Sequence, residues 1–381
     1  MKIAFLTPEY PHPKFGSSGG IGTSIMNLAK GLVLAGNKVV ILVYAQKQDE
    51  VFEENGIVFY GIKNIKIKGL SWFFTRKKIE RLINKLYQEQ AIDLVEAPDW
   101  TGITSFIQPK CPVIIREHGA DTYFCHLDGR AVKFFNRYHE KRALEKSDAL
   151  ISVSRFTGEL TNKLFGLEKK FAVIPNVVDT DFFADAVVRE AAGAEILYFG
   201  SLIRKKGLLE LPHIFNKVLE RNPDARLTLI GRDVPDIITG NPSTWEMMKQ
   251  NFSQEALLNV TYAGSVEYSA IKQYVLQADI CVFPSFAEAL PVSWLEAMAM
   301  KKAIVASNIG WATEMIEDGK EGFLVDPRNH KEYADRIREL LDKPELRTLF
   351  GENARKKVNS RFALEITIRQ NVDFYNSILN R

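Results

Sequence analysis

Short apolar runs separated by segments of helical period recur along the whole chain, and after a break near residue 195 the series starts again. Such alternation is the pattern of parallel strands joined by crossover helices, because a parallel strand needs a long connection back to its own starting edge. The first run, Ile3 to Thr7, leads through a glycine-rich loop into IGTSIMNLAKGLVLAG, where Ile21, Ile25, Leu28 and Leu32 recur at helical spacing and Gly36 supplies a stop. KVVILVYA follows, so continuously apolar that both its faces must be covered. Further strands are expected at Ile57–Tyr60, Leu94–Glu96, Val113–Arg116, Ala149–Val153 and Phe171–Ile174. In the second series EILYFG, LTLIG, VTYAG, ICVFPS, AIVAS and GFLV play the same part, and FALEITIRQNVDFYNSILNR reads as a closing amphipathic helix.

A length of 381 residues suits two domains of this kind. The polar and alanine-rich stretch before residue 195 reads as their linker. The expected division is residues 1–185, 186–360 and a terminal helix at 361–381. Net charge is +3, too balanced for a dedicated nucleic-acid binder, so no nucleic-acid partner is expected. Up to residue 190 there are 26 basic and 22 acidic residues, which makes the first half mildly basic. Three scattered cysteines build no disulfide framework, and the amino terminus lacks the long apolar core of a signal peptide. A soluble cytoplasmic protein is expected.

In open parallel sheets ligands bind beyond the carboxyl ends of the strands. FGSSGGIGT, after the first strand, brings Gly19 and Gly20 to a helix start, where bare backbone amides and the helix dipole favour an anion. It is not a dinucleotide fingerprint. Ile25 stands at the third glycine position, and Tyr44, Ala45, Gln46 and Lys47 fill the place of the ribose-binding acid. A surface loop is the alternative. YFGSLIRKKG sets Arg204, Lys205 and Lys206 beside Gly200 and Gly207, where cations can meet a pyrophosphate or simply face solvent. In FPSFAEALPVSWLEAMAM, Glu288 falls in a turn, Leu290 and Pro291 lead into a helix, and Glu296 lies eight residues after Glu288. Paired carboxylates near one cleft fit glycoside hydrolysis, a reading that fails here because no separate acid/base pair emerges; a cap and an exposed helix residue are the structural alternative. His118 follows the strand VIIRE at its carboxyl end.

Two metal patterns are weak. Asp179-Thr180-Asp181 falls in the linker, and Cys111, His118, Cys125 and His126 lack paired ligand spacing. The segment 63–81 holds Lys63, Lys66, Lys68, Arg76, Lys77 and Lys78 around Trp72, Phe73 and Phe74. It suits an anionic membrane or an acidic acceptor, and equally a solvated helix whose aromatics pack inward.

In order along the chain, GGIG, EHG, SVSRFT, VIPNVVDTDFF, FGSLIRKKG, AGSV, PSFAEALPVSWLEAMA and GWATEMIEDGKEGFLV resemble the motifs of the retaining glycosyltransferases of family 4. The resemblance implies the α/β fold called GT-B: two Rossmann-like, doubly wound parallel-sheet domains facing a central cleft, with the C-terminal helix crossing back to the first. It implies a UDP- or GDP-sugar donor, UDP being the commoner class, and a glycan or lipid-linked acceptor in cell-surface polysaccharide synthesis, with no metal and no cofactor. Gly19 and Gly20 would bind donor phosphate, Lys206 the diphosphate, Glu288 hydroxyls of the donor sugar, and Glu296 the ribose. Leu290 and Pro291 would border the donor, and His118 would lie beside the transferred sugar. Ser201 stands where the family commonly has arginine, and Arg204 or Lys205 is the expected substitute. Pro291 replaces a common glycine and offers no N–H. A GT-B epimerase or phosphorylase and a non-catalytic nucleotide-sugar-binding subunit are the competing readings. The set of Glu288, Glu296, Lys206 and His118 argues against the last.

Overall fold

The computed structural model describes residues 1–16, 18–183 and 194–380. Its contacts divide the chain into two compact α/β units: Met1–Val177 with the C-terminal helix Leu364–Leu379, and Val178–Ala363. The expected boundary between residues 185 and 186 lies outside the described residues, as does the part of the expected linker from 184 to 193. The observed division falls earlier because the segment after Val177 is tied into the second unit. There the Val178 N–H donates to the Phe362 carbonyl at 3.2 Å, and Phe182 stacks on Tyr268 with ring centres 6.0 Å apart.

The first unit is built on eight strands: β1 (Lys2–Thr7), β2 (Lys38–Gln46), β3 (Glu50–Glu54), β4 (Ile57–Lys63), β5 (Leu94–Pro98), β6 (Val113–Glu117), β7 (Ala149–Ser152) and β8 (Ala172–Val173). They lie in the order β3-β4-β2-β1-β5-β6-β7-β8, parallel except for β3. The side-chain period of two explains the apolar runs. Ile3 and Phe5 of β1 point to one face, with Ile25, Leu28 and Leu32 of the helix Gly20–Leu34 and Ile368 and Tyr375 of the C-terminal helix. Ala4 and Leu6 point to the other, with Ile79, Ile83 and Leu86 of the helix Ser71–Gln88.

The second unit has six strands, all parallel: β9 (Glu195–Phe199), β10 (Arg226–Ile230), β11 (Val260–Tyr262), β12 (Ile280–Phe283), β13 (Ala303–Ser307) and β14 (Gly322–Val325). Their order β11-β10-β9-β12-β13-β14 is that of a doubly wound nucleotide-binding sheet. Trp294, Trp311, Tyr333 and Phe215 are fully buried around it, and the Tyr333 hydroxyl donates to the Val305 carbonyl at 2.6 Å. The strand order switches direction between β1 and β5 and between β9 and β12, and the segments leaving β1, β9 and β12 carry the predicted residues other than His118, which follows β6.

Candidate functional site

In the second unit, the loops after β9 and β12 are fastened to each other through backbone. The N–H groups of Phe286 and Ala287 donate to the Lys205 carbonyl at 2.8 and 3.1 Å. Gly207 takes φ 70°, and a Cβ there would fall 1.8 Å from the Pro284 carbonyl oxygen, so only glycine lets the loops close this tightly. The consequence is chemical. Lys206 Nζ comes 2.8 Å from Glu288 Oε1, to which the Ser285 hydroxyl also donates at 3.3 Å.

Pro291 caps the helix Val292–Ala299, a position where its missing N–H costs no helical bond, and Leu290 is buried beside it. Glu296 lies in the fifth position of that helix, 3% exposed, and accepts from the Tyr268 hydroxyl at 2.7 Å. Burial pushes its carboxyl up to about 7, against the pull of the Tyr268 hydrogen bond and the Lys206 charge. Lys206 thus pairs with Glu288, and its charge is also felt at Glu296.

Arg204 does not join them. Its Nε and Nη2 form a two-pronged bond to Asp236, at 2.8 and 2.7 Å, and Asp236 also accepts from the amide and hydroxyl of Thr239. The Arg204 hydrogen bond holds the Asp236 carboxyl well below the usual carboxylate range. Arg204, expected with Lys205 as the substitute for the family's arginine at Ser201, is held on both prongs by Asp236, and this bond braces the loop. Lys205 contributes its backbone carbonyl to the loop fastening described above.

In the first unit, His118 leaves the end of β6 and is 8% exposed. Its backbone N–H donates to Asp99 Oδ1 at 3.0 Å, which pins the loop after β6 to the loop after β5. Burial, aided by Arg116, lowers the imidazole to about 3, so the ring is neutral at physiological pH. Burial raises the Asp99 carboxyl to about 8, and neighbouring Glu117 is buried with its carboxyl well above the usual range. Gly19 caps the helix Gly20–Leu34 without a side-chain hydrogen bond. The Gly22 N–H in its first turn donates to Glu9 Oε1 at 3.1 Å. The protein's own Glu9 carboxylate thus takes one of the amides at this helix start.

Sequence reasoning missed Tyr268, Asp99, Asp236 and Glu9. Asp99 and Glu9 each stand just past a strand end, the rule that picked out His118, and were legible on that ground. The Asp179-Thr180-Asp181 segment is structural: Asp179 Oδ1 accepts the Phe182 N–H at 2.9 Å, and Phe183 packs edge-on against Tyr268. Among the described residues no group of three or more His, Cys, Asp or Glu side chains is arranged to hold a metal ion. Cys111 and Cys125 are buried free thiols.

Two family profiles meet at residue 182. Residues 18–182 match Glycosyltransferase Family 4 and residues 182–357 match Glycosyl transferases group 1. The chain is 30% identical to the alpha-D-kanosaminyltransferase of Streptomyces kanamyceticus, over 70% of this chain and 71% of that one. It is 26% identical to an uncharacterized glycosyltransferase of Methanocaldococcus jannaschii over 98% of both. Among solved structures, sucrose-phosphate synthase of Thermosynechococcus elongatus superposes with a TM-score of 0.80 at 20% identity, covering 100% of both chains. HepE of Anabaena, in complex with UDP and glucose, superposes at 0.76 and 21% identity, covering 99% of this chain and 100% of that one. These structural likenesses establish the GT-B fold.

Proposed function

The chain belongs to glycosyltransferase family 4, and we propose that it moves a sugar from a nucleotide-diphosphate donor, of the UDP class, to a hydroxyl of a glycan or lipid-linked acceptor with retention of anomeric configuration. The observation that carries this reading is the cluster of Lys206, Glu288 and Glu296 at the strand-order reversal of the second sheet. HepE, with UDP and glucose bound on the same fold, supports the donor class.

In this proposal Lys206 neutralises the diphosphate, Glu288 accepts hydrogen bonds from donor-sugar hydroxyls, and Glu296 accepts those of the ribose. Gly19 and Gly20 present backbone amides to phosphate, while Leu290 and Pro291 border the donor. As the bond from the anomeric carbon to the diphosphate breaks, negative charge grows on the leaving oxygen and positive charge on the sugar ring. Lys206 and helix-start amides answer the first. His118, neutral because it is buried, adds no opposing charge beside the second. The acceptor hydroxyl forms the new bond on the same face, and its proton passes to the leaving phosphate oxygen.

No metal or other cofactor has a step in this scheme, so transfer is expected to persist in excess EDTA. A loss of turnover restored by magnesium or manganese would contradict it. Proton NMR of the product supplies the stereochemical check: the anomeric coupling should match that of the donor, and the opposite configuration would overturn retention. A cytoplasmic site of action, with residues 63–81 touching an anionic membrane, completes the proposal. Among the described residues no helix is long and apolar enough to cross a membrane.

A further inference from the structure

An aromatic surface on the first unit plays no part in the chemistry above. The helix Phe134–Lys146 opens with two phenylalanines in water: Phe134 is 74% and Phe135 71% exposed, and Tyr138, one turn on, is 45% exposed. Phe134 stacks on Tyr138 at 6.5 Å between ring centres, Tyr138 reaches Phe106 at 6.3 Å, and Phe106 meets the edge of Trp72 at 5.5 Å. Trp72, in the first turn of the helix Ser71–Gln88, is itself 41% exposed and follows the exposed Ile67 and Leu70. Two segments far apart in sequence therefore make one continuous apolar strip, and an exposed strip of this kind marks a contact surface.

The charges these two segments carry at the strip are of one sign. Lys66, Lys68, Lys133 and Arg137 are all exposed, and the sequence has no acidic residue from 64 to 79 or from 129 to 139. Glu140 is turned inward, accepting the backbone amides of Asp121 and Thr122. His139, beside Trp72, is kept neutral by burial and by Arg76 and Arg142, which lower it to about 4. Three further cations of the 63–81 segment are spent within the fold. Arg76 donates to the Gly102 and Ile103 carbonyls, Lys77 pairs with Glu80, and Lys78 pairs with Asp49. The basic stretch alone is thus a weaker membrane contact than its composition suggests, and most of the exposed apolar area comes from residues 134–138.

We propose that the strip is a docking surface for an anionic lipid bilayer, with Phe134 and Phe135 entering the interface and Lys66, Lys68 and Lys133 meeting acidic headgroups, while Arg137 is held by the Leu164 carbonyl. Exposed aromatics flanked along the chain by cations are what an interfacial segment requires. A sugar polymer is less well served, because the two phenylalanine rings stand at 77° to each other and offer no flat stacking platform. The proposal deepens the membrane contact named above and does not depend on the transferase chemistry.

The test is co-sedimentation of the full chain with vesicles of phosphatidylcholine alone and of phosphatidylcholine mixed with phosphatidylglycerol. Binding is expected only to the mixed vesicles, and raised salt should weaken it. The double change Phe134→Ser with Phe135→Ser should reduce the bound fraction about tenfold, and Lys66→Glu with Lys68→Glu should reduce it as well. Melting temperature and nucleotide-induced stabilisation should not move in the serine variant, since the rings are exposed. Wild-type indifference to both vesicles, or serine-variant binding equal to wild type, overturns the proposal. Retention on an anionic polysaccharide column without vesicle binding also overturns it and assigns the surface to a glycan.

Discussion

Changing Glu288 to alanine is expected to lower the rate of sugar transfer by a factor of about 10³, the scale of losing one group that acts on the charge-separated transition state. Affinity for the bare nucleoside diphosphate should stay the same or rise slightly. The reason lies in the ion pair: Glu288 sits 2.8 Å from Lys206, so removing the carboxylate frees the ammonium for phosphate while deleting the acceptor for sugar hydroxyls. Turnover measured beside calorimetric titration of the nucleotide separates the two effects. Unchanged turnover would remove Glu288 from the mechanism, and a parallel collapse of nucleotide affinity would make it a structural support for the loop.

Glu96→Ala is expected to cost the first unit about 3–5 kcal/mol, because it leaves a guanidinium buried without its counter-charge. Arg116 and Glu96 face each other from β6 and β5 with 3% of each side chain exposed, joined by bonds of 2.7 and 3.0 Å. The C-terminal helix completes the network: Asn371 accepts from Arg116, and the Tyr375 hydroxyl donates to Glu96 at 2.7 Å. The variant therefore weakens both the sheet and the docking of that helix. Denaturant unfolding should show an early transition for the first unit, apart from that of the second, which has its own core. Tyr375→Phe should cost only about 1 kcal/mol, one hydrogen bond's worth. A Glu96→Ala loss no larger than that would mean that the ion pair is not what secures the helix.

Much of the fold was legible because parallel strands buried on both faces must be apolar throughout, and such runs stand out against their polar connections. The strand that escaped was β3, EVFEE. It is an antiparallel edge strand whose Glu50, Glu53 and Glu54 give it the composition of a loop. Its one signal was the turn Asn55-Gly56, both residues at positive φ, which joins it to β4. At the candidate site the motif residues were legible because each motif is continuous in sequence: the Lys206 loop and the Glu288–Glu296 segment each read as one unit. Their partners were not. Tyr268 reaches Glu296 across 28 residues and Asp236 reaches Arg204 across 32, and neither distance leaves a local pattern. The Asp236 pairing of Arg204 was hidden for the same reason, since a basic residue beside a glycine looks alike whether its fork points to a ligand or to a distant aspartate.

The central claim is that the cluster of Lys206, Glu288 and Glu296 holds a nucleoside diphosphate. Thermal-shift titration of the full chain with UDP, GDP and ADP tests it most directly, since a ligand bound only by the folded state raises the melting temperature with its concentration. One of the three, UDP on the reading above, should stabilise the protein by several degrees, and Lys206→Ala should abolish that shift when each protein is compared with its own ligand-free melting temperature. No stabilisation by any of the three, or an equal shift in the Lys206 variant, would contradict the account.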